Sequence, residues 1–156
     1  MATLAHHILL ADDEPEILSE MTSYLRRRGH IVVPVSSKID GIRAYQDNAE
    51  RFALVVTDMQ MPDGNGCDLA RFVIDHSRGT RGICPCLIIS GNFDVNGLPA
   101  DLRAAGVGSL AKPFSLSFFY ASVLVTVGMA GKPAGQLSST QPVLSTTEFP
   151  LQSLSK

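Results

Sequence analysis

The sequence predicts an α/β domain in which a doubly wound, five-stranded parallel sheet carries five helices. Five short apolar runs alternate with five segments whose apolar residues repeat at helical spacing, a pattern typical of a parallel sheet covered on both faces. The 156 residues suffice for one such domain but not for a second. Polar side chains follow the apolar runs directly, as they do at the carboxyl edge of an open parallel sheet.

The first half of the chain contains three strands and two helices. Pro15 lies in the first turn of the first helix and Gly29 ends it. Pro34 has no amide hydrogen, so the second strand belongs at an edge of the sheet. The predicted elements are a strand at His7 to Ala11, a helix from Glu14 to Gly29, a strand at Ile31 to Val35, a helix at Lys38 to Asn48 and a strand at Ala53 to Thr57.

The second half alternates in the same way and ends in a polar tail. Residues 78–82 are predicted as loop, and the Gly- and Asn-rich residues 91–97 suggest that the short fourth helix is mobile. Residues 1–127 form the predicted domain, and residues 128–156, rich in Ser, Thr and Pro, a flexible tail. The elements are a helix at Cys67 to His76, a strand at Cys86 to Ser90, a helix at Pro99 to Ala105, a strand at Ser109 to Ala111 and a helix capped by Ser115 that runs to about Val127.

Two strands belong at the edges of the sheet, and this selects the strand order. The strand that contains Pro34 and the short fifth strand are both edge candidates, which favours the flavodoxin-like order 2-1-3-4-5. In that order the succession of the strands reverses between strands 1 and 3, where such sheets bind their ligands. Those strands precede Asp13 and Asp58.

Composition excludes several classes of function. The net charge is −2 and the basic residues are scattered apart from Arg26 to Arg28, so no direct nucleic-acid partner is expected. Cys67, Cys84 and Cys86 are too few and too oddly spaced for a disulfide framework or a zinc site, which indicates a reducing cytoplasm. There is no signal peptide, and hydroxyl residues dilute the uncharged run from residue 114 to 131, so no membrane insertion is expected.

Carboxylates, a hydroxyl and a lysine are expected to meet at the switch point. Asp12 and Asp13 follow strand 1, Asp58 follows strand 3, Ser90 ends strand 4 and Lys112 follows strand 5. Carboxylates in one crevice repel each other, and Mg²⁺ relieves this while leaving positions for phosphate oxygens. A carboxylate nucleophile with a metal, a lysine and a hydroxyl around it is equipped for phosphoryl transfer. Each residue alone has a structural explanation as a cap or turn residue, but their joint occurrence favours function.

Four motifs resemble the receiver domain of two-component response regulators, in particular chemotaxis-regulator-like single-domain regulators. The resemblance covers about residues 6 to 127. It implies that Asp58 accepts a phosphoryl group from a sensor histidine kinase or a phosphotransfer protein. The motifs are Ile-Leu-Leu-Ala-Asp-Asp-Glu-Pro-Glu, Val-Val-Thr-Asp-Met-Gln-Met-Pro-Asp-Gly-Asn-Gly, Ile-Ile-Ser-Gly and Ala-Lys-Pro-Phe.

The same resemblance implies roles for the neighbouring residues. Asp12, Asp13, Asp58 and the backbone carbonyl of Gln60 would hold Mg²⁺, and Lys112 would bind the phosphoryl group. Ser90 would move toward the phosphoryl oxygen and reorganise the face built from helix 4, strand 5 and helix 5. The chain departs from the family at Ser109, where an aromatic residue usually stands three positions before the lysine. Either the switch is weak, or helix 4 itself forms it.

Two other functions use some of the same residues. A small Mg²⁺-dependent aspartyl-phosphate phosphatase or phosphotransferase would share the nucleophile, but Gln60 stands where a second acid is needed, and a cap domain is missing. A phosphorylation-independent scaffold would not need the full set of carboxylates and Lys112. We therefore expect a signalling switch rather than an enzyme.

The uncharged fifth helix predicts a contact surface. Its sheet-facing residues are expected to be Leu116, Phe119 or Tyr120, Val123 and Val127. Outward apolar residues usually mark an interface, so we expect a homodimer or a downstream protein to bind here through Phe118 and Leu124. Alternatively, the tail folds back to cover this surface with Leu137, Val143, Leu144 and Phe149. The residues expected to point outward are Phe118, Ala121, Leu124 and Val125.

Overall fold

The computed structural model describes residues 4–77, 82–92 and 97–128. The predictions for the loop at residues 78–81, for residues 93–96 and for the tail from residue 129 onward lie outside the described residues. The elements are β1 His7–Ala11, α1 Pro15–Arg27, β2 Ile31–Val35, α2 Lys38–Asn48, β3 Phe52–Asp58, α3 Gly66–Ser77, β4 Cys86–Ser90, α4 Ala100–Ala104, β5 Gly108–Ala111 and α5 Leu116–Gly128.

The five strands form one parallel sheet in the order β2-β1-β3-β4-β5. This confirms the predicted fold class, with Pro34 in an edge strand as expected. A further two-residue antiparallel pairing joins Gln60 to Asn65 and Met61 to Gly64. This small hairpin lies directly after β3, beside Asp58.

Each central strand contributes side chains to both faces of the sheet. In β1, Leu9 packs with one hydrophobic cluster, which includes residues of α2, α3 and α4, whereas Ile8 and Leu10 pack with the other, which includes residues of α1 and α5. Successive side chains of a strand point to opposite faces. A strand buried on both faces therefore has a continuous apolar sequence, which is why the sequence predicts these strands well.

Side chains and glycines fix the helix ends. The Ser37 hydroxyl oxygen accepts a hydrogen bond from the Asp40 amide at 3.1 Å and so caps α2. Ser115 caps α5 as predicted, since its hydroxyl oxygen accepts from the Phe118 amide at 3.1 Å. Gly29 follows α1 with a φ of 89°, a backbone conformation that favours glycine.

The structure corrects the predicted orientation of α5 at Phe118, whereas Phe119 and Val123 are buried as expected. Phe118, expected to face solvent, is 5% exposed and packs in the cluster shared with α1. Ser122 and Thr126 are also buried, and their hydroxyls donate to the carbonyls of Phe118 and Ser122 at 3.0 and 2.7 Å. Because these hydroxyls are satisfied within the helix, the two polar residues can be buried, and the buried face of α5 is wider than the apolar pattern predicts.

The exposed side of α5 is smaller than expected but still apolar. Leu124 is 41% exposed and Val125 39% exposed, and Ala121 is also exposed. Among the helices within the described residues, none is both long and apolar enough to cross a bilayer.

Candidate functional site

Asp58 is the last residue of β3, at the carboxyl edge of the sheet. Asp58 is 7% exposed, so its carboxylate lies at the floor of the site. The Met59 amide donates to the Ile89 carbonyl at 2.8 Å, which extends the pairing of β3 and β4 past Asp58. The backbone that presents the carboxylate is therefore held by the sheet itself.

Asp12 and Asp13 follow β1 and complete an acidic triad with Asp58. One carboxylate oxygen from each residue lies within 4.8 Å of the other two. One oxygen of Asp12, Oδ1, accepts a hydrogen bond from the Glu14 amide at 2.9 Å. Asp12 is fully buried, whereas Asp13 is only half-buried.

Lys112 follows β5 and directs its ammonium group at the triad. Its Nζ is 3.3 Å from Asp58 Oδ1, 3.7 Å from Glu14 Oε1 and 4.0 Å from Asp12 Oδ2. The Lys112 amide donates to the Ser90 carbonyl at 2.8 Å, so pairing with β4 fixes the start of this side chain. Lys112 therefore forms an ion pair with Asp58 in this structure.

Burial, more than the neighbouring charges, shifts the pKa values of the two buried aspartates. Burial, together with the Asp58 charge, raises the pKa of Asp12 to about 6, despite the Glu14 amide and Lys112. Burial likewise raises the pKa of Asp58, although Lys112 opposes this. For Lys112, burial lowers the pKa, but the carboxylates of Asp58 and Asp12 outweigh it and hold the pKa above its usual value. A cation among these carboxylates would favour their ionised forms.

Ser90 ends β4 and borders a surface depression of about 480 Å³. Its hydroxyl oxygen accepts a hydrogen bond from the Asn92 amide at 3.1 Å, and a Cβ added to Gly91 would have its nearest contact at 3.8 Å. No described side chain therefore crowds Gly91 at the edge of the depression next to Ser90. The lining residues are Asp13, Glu14, Asp58, Gln60, Met61, Pro62, Ser90, Gly91, Asn92 and Lys112.

The loop from Met59 to Gly66 borders the same depression. The Gly66 amide donates to the Met59 carbonyl at 2.6 Å, and any Cβ on Gly66 would overlap the carbonyl oxygen of Asp58. Asn65 caps α3, its side-chain oxygen accepting from the Cys67 amide at 2.7 Å. Glycine is thus required at position 66 because the chain passes directly against the backbone of Asp58.

The structure brings most of the predicted site residues together. Gln60 lies at the rim beside the three aspartates, Ser90 and Lys112, whereas Leu124 lies on the outer surface of α5 and Phe118 in the core. Ser109 is exposed on β5. Glu14 was missed as a neighbour of Lys112, although it continues the acidic run that contains Asp12 and Asp13.

The donor set fits a hard divalent cation. Asp12 Oδ2 is one of two buried side-chain oxygens that accept no hydrogen bond in the described part of the chain. Such buried oxygens are rare unless water or an ion satisfies them. Three carboxylates close together, with a half-open approach, match the oxygen ligands and retained waters of Mg²⁺.

Fold and site together define a class: a doubly wound α/β domain with an acidic, lysine-bearing site at its switch point. Residues 8–123 match the response regulator receiver domain family. The chain therefore belongs to this family of two-component signalling switches. Receiver domains interact with histidine kinases or phosphotransfer proteins, bind Mg²⁺ in an acidic pocket and are generally not classed as enzymes.

Individual relatives agree with this assignment. The chain is 28% identical over 144 residues to the transcriptional regulatory protein KdpE of Mycobacterium tuberculosis, covering 91% of this chain and 58% of KdpE. It thus spans little more than half of that relative. A receiver domain protein from Clostridium thermocellum is similar in structure, with a TM-score of 0.66, 27% identity and coverage of 80% of this chain and 95% of that one. The non-phosphorylated HemR receiver domain of Leptospira biflexa has a TM-score of 0.66 at 25% identity, over 88% of this chain and 98% of that one.

Proposed function

We propose that this receiver domain accepts a phosphoryl group on Asp58 from a phosphohistidine of a sensor histidine kinase or phosphotransfer protein. The observation that supports this best is the ammonium group of Lys112, 3.3 Å from Asp58 Oδ1 at the mouth of an acidic crevice. Lys112 holds the resting carboxylate and offers a positive charge for an incoming phosphoryl oxygen.

In the proposed reaction, Asp58, Lys112 and Ser90 have different roles. An ionised oxygen of Asp58 attacks phosphorus as the bond from phosphorus to the donor's imidazole nitrogen breaks, and the electron pair leaves with the imidazole. Lys112 shifts its charge from the carboxylate to the transferred phosphoryl oxygens. The hydroxyl of Ser90, whose oxygen accepts from the Asn92 amide at 3.1 Å, donates its proton in a hydrogen bond to a phosphoryl oxygen.

Asp12, Asp13, Asp58 and the backbone carbonyl of Gln60 would hold Mg²⁺. The ion would neutralise the negative charge that phosphoryl transfer brings into the crevice. Asp12 contributes the orphaned Oδ2, and the half-buried Asp13 stands at the open side of the triad.

The output of the switch is proposed to be protein binding through α4, β5 and α5. Ala121, Leu124 and Val125 form an exposed apolar strip on α5, which suits a downstream protein or a second copy of the chain. With Ser109 at the family's aromatic position, a moving aromatic residue has no counterpart there. The switch is then either weak or formed by displacement of the five-residue α4.

The test uses acetyl phosphate as the phosphoryl donor. Intact-mass spectrometry of the full chain should show one Mg²⁺-dependent phosphate on the wild type and none on Asp58→Asn, because the amide is a poor nucleophile of the same shape. Turnover of a small phosphate ester such as p-nitrophenyl phosphate would instead favour the phosphatase. An unlabelled but folded wild type would favour the scaffold.

A further inference from the structure

We propose that Asp63 is a positioning residue that ties the loop beside Asp58 to α2 and thereby raises the affinity of the acidic triad for Mg²⁺. The inference rests on the proposed function, since it concerns the same metal site. Asp63 itself does not contact the triad. It acts through the loop that contains Gln60.

Both carboxylate oxygens of Asp63 are bonded to the start of α2. Oδ1 accepts a hydrogen bond from the Lys38 amide at 2.9 Å, and Oδ2 accepts one from the Ile39 amide at 2.9 Å. The first amides of a helix have no partner within the helix, and its positive end favours a carboxylate. Ser37 caps the next amide, that of Asp40. Asp63 therefore completes the cap of a helix that is 24 or 25 residues away in sequence.

The loop that Asp63 holds forms one wall of the site. Gln60, Met61 and Pro62, the three residues before Asp63, all line the depression. The base of the loop is closed by the Gly66 amide on the Met59 carbonyl and by the two-residue hairpin pairing. Its tip is fixed to the rest of the protein by Asp63. Without those two hydrogen bonds, the loop would keep only the pairing at its base, the packing of Met61 in the core and the contact of Gly64 with the Lys38 side chain.

The anchor at α2 is firm enough to serve as a support. Gly41 packs against the side chain of Leu69 in α3, and Tyr45 is 1% exposed. The Lys38 side chain also lies across Gly64, since a Cβ there would come within 2.6 Å of Nζ. The tip of the loop therefore meets α2 through two adjacent residues, Asp63 and Gly64. A fixed tip limits where the Gln60 backbone can move.

This arrangement couples the cap of α2 to the metal site. If the tie lowers the freedom that the loop loses on binding Mg²⁺, its removal must weaken binding. Because linkage is reciprocal, Mg²⁺ should in turn slow hydrogen exchange at the Lys38 and Ile39 amides. A cap that only stabilised α2 would produce neither effect.

The experiment compares Asp63→Ala with Ser37→Ala in the full chain. Both variants remove acceptors from the same helix end, but among the described residues the side chain of Ser37 bonds only the Asp40 amide, whereas Asp63 belongs to the loop. Calorimetric titration with MgCl₂ should give about tenfold weaker binding for Asp63→Ala, the lower range for outer-shell partners, and wild-type affinity for Ser37→Ala. Asp63→Asn, which keeps one acceptor oxygen, should fall between wild type and Asp63→Ala.

Each other outcome has a distinct meaning. A wild type that does not bind Mg²⁺ would overturn the proposed metal site as well as this inference. A wild type that binds, with equal affinity in Asp63→Ala, would overturn only the positioning role. Equal losses in Asp63→Asn and Asp63→Ala that disappear at high salt would assign the effect to charge alone and also overturn it.

Discussion

Buried titratable residues lie at the carboxyl ends and at the amino ends of the strands. Asp12 and Asp58 occupy the carboxyl edge, and His30, 4% exposed, precedes β2 at the amino edge. His30 Nδ1 accepts a hydrogen bond from the His6 amide at 3.2 Å, and its Nε2 is 2.9 Å from the Tyr120 hydroxyl. Because Nδ1 faces a donor, the ring proton belongs on Nε2. Protonation of Nδ1 would break the hydrogen bond from the His6 amide.

The burial of His30 opposes its protonation as well. Burial, and then the neighbouring His6, lower the pKa of His30 below its usual value. The His6 ring stacks on it at 5.5 Å, and the Arg28 guanidinium lies 5.1 Å from the Tyr120 ring. His30 is therefore a neutral link between β1, β2 and α5.

This environment predicts an acid-sensitive stability. Below the usual histidine pKa of about 6.5, the unfolded chain binds a proton that folded His30 refuses, so its contribution to stability is lost as the pH falls. Asp12, with its pKa raised to about 6, acts in the opposite direction, since folding favours its protonated form. We expect the wild type to lose stability relative to His30→Gln between pH 7.5 and 5.5 (about one unit on either side of 6.5).

Thermal or urea unfolding of both proteins across that range measures the difference. The Asp12 contribution is common to the two proteins and cancels. A stability difference that stays constant with pH would contradict the neutral assignment of His30.

At the scale of elements, α5 shows where a helical wheel does not predict which residues are buried. The helix has no charged residue, so hydrophobicity alone cannot choose which side faces the sheet. Ser122 and Thr126 can be buried because their hydroxyls donate to carbonyls one turn earlier, and the buried face then includes Phe118 as well as the expected Phe119 and Val123. Strands β1, β3 and β4, in contrast, are unambiguous because both of their faces are buried.

The orientation of α5 predicts opposite effects for two apolar residues. Phe118→Ala should destabilise the protein by about 3–5 kcal/mol, the usual loss for a buried phenylalanine. Leu124→Lys should change stability by less than about 0.5 kcal/mol, as at an ordinary surface position. Urea unfolding of each variant tests this directly.

Only the Leu124 variant is therefore useful for testing the contact surface. If the surface binds a second copy or a downstream protein, Leu124→Lys should lower the mass of a dimer in sedimentation or the affinity of a cognate partner. Stability loss in Leu124→Lys comparable to that in Phe118→Ala would show that the assigned orientation is wrong.

At the scale of the whole molecule, metal binding should be visible as stability. Mg²⁺ that binds the folded triad but not the unfolded chain should add about 2.7 kcal/mol at a hundredfold excess over its dissociation constant. Asp13→Ala should remove most of that gain. Asp47→Ala, an exposed carboxylate on α2, is the matched control and should keep it. A wild-type melting temperature that is independent of Mg²⁺ would contradict the site.

The features that could not be predicted from the sequence are contacts between residues far apart in the chain. The strands, their order and the triad follow from patterns local to each segment, because buried strands and their terminal carboxylates are adjacent in sequence. The cap from Asp63 to α2 and the bond from His30 to Tyr120 join residues 24 or more positions apart. Such pairs have no spacing signature, and the two-residue hairpin at residues 60–61 and 64–65 is too short to show periodicity.

Locating the phosphoryl group is the most direct test of the account. After reaction with acetyl phosphate and Mg²⁺, borohydride reduction converts an aspartyl phosphate to homoserine, and peptide mass spectrometry then identifies its position. We expect homoserine at Asp58 in the wild type and at no position in Asp58→Asn. Homoserine at Asp12, Asp13 or Asp63 instead, or labelling that persists in Asp58→Asn, would contradict the assignment of Asp58 as the phosphoacceptor.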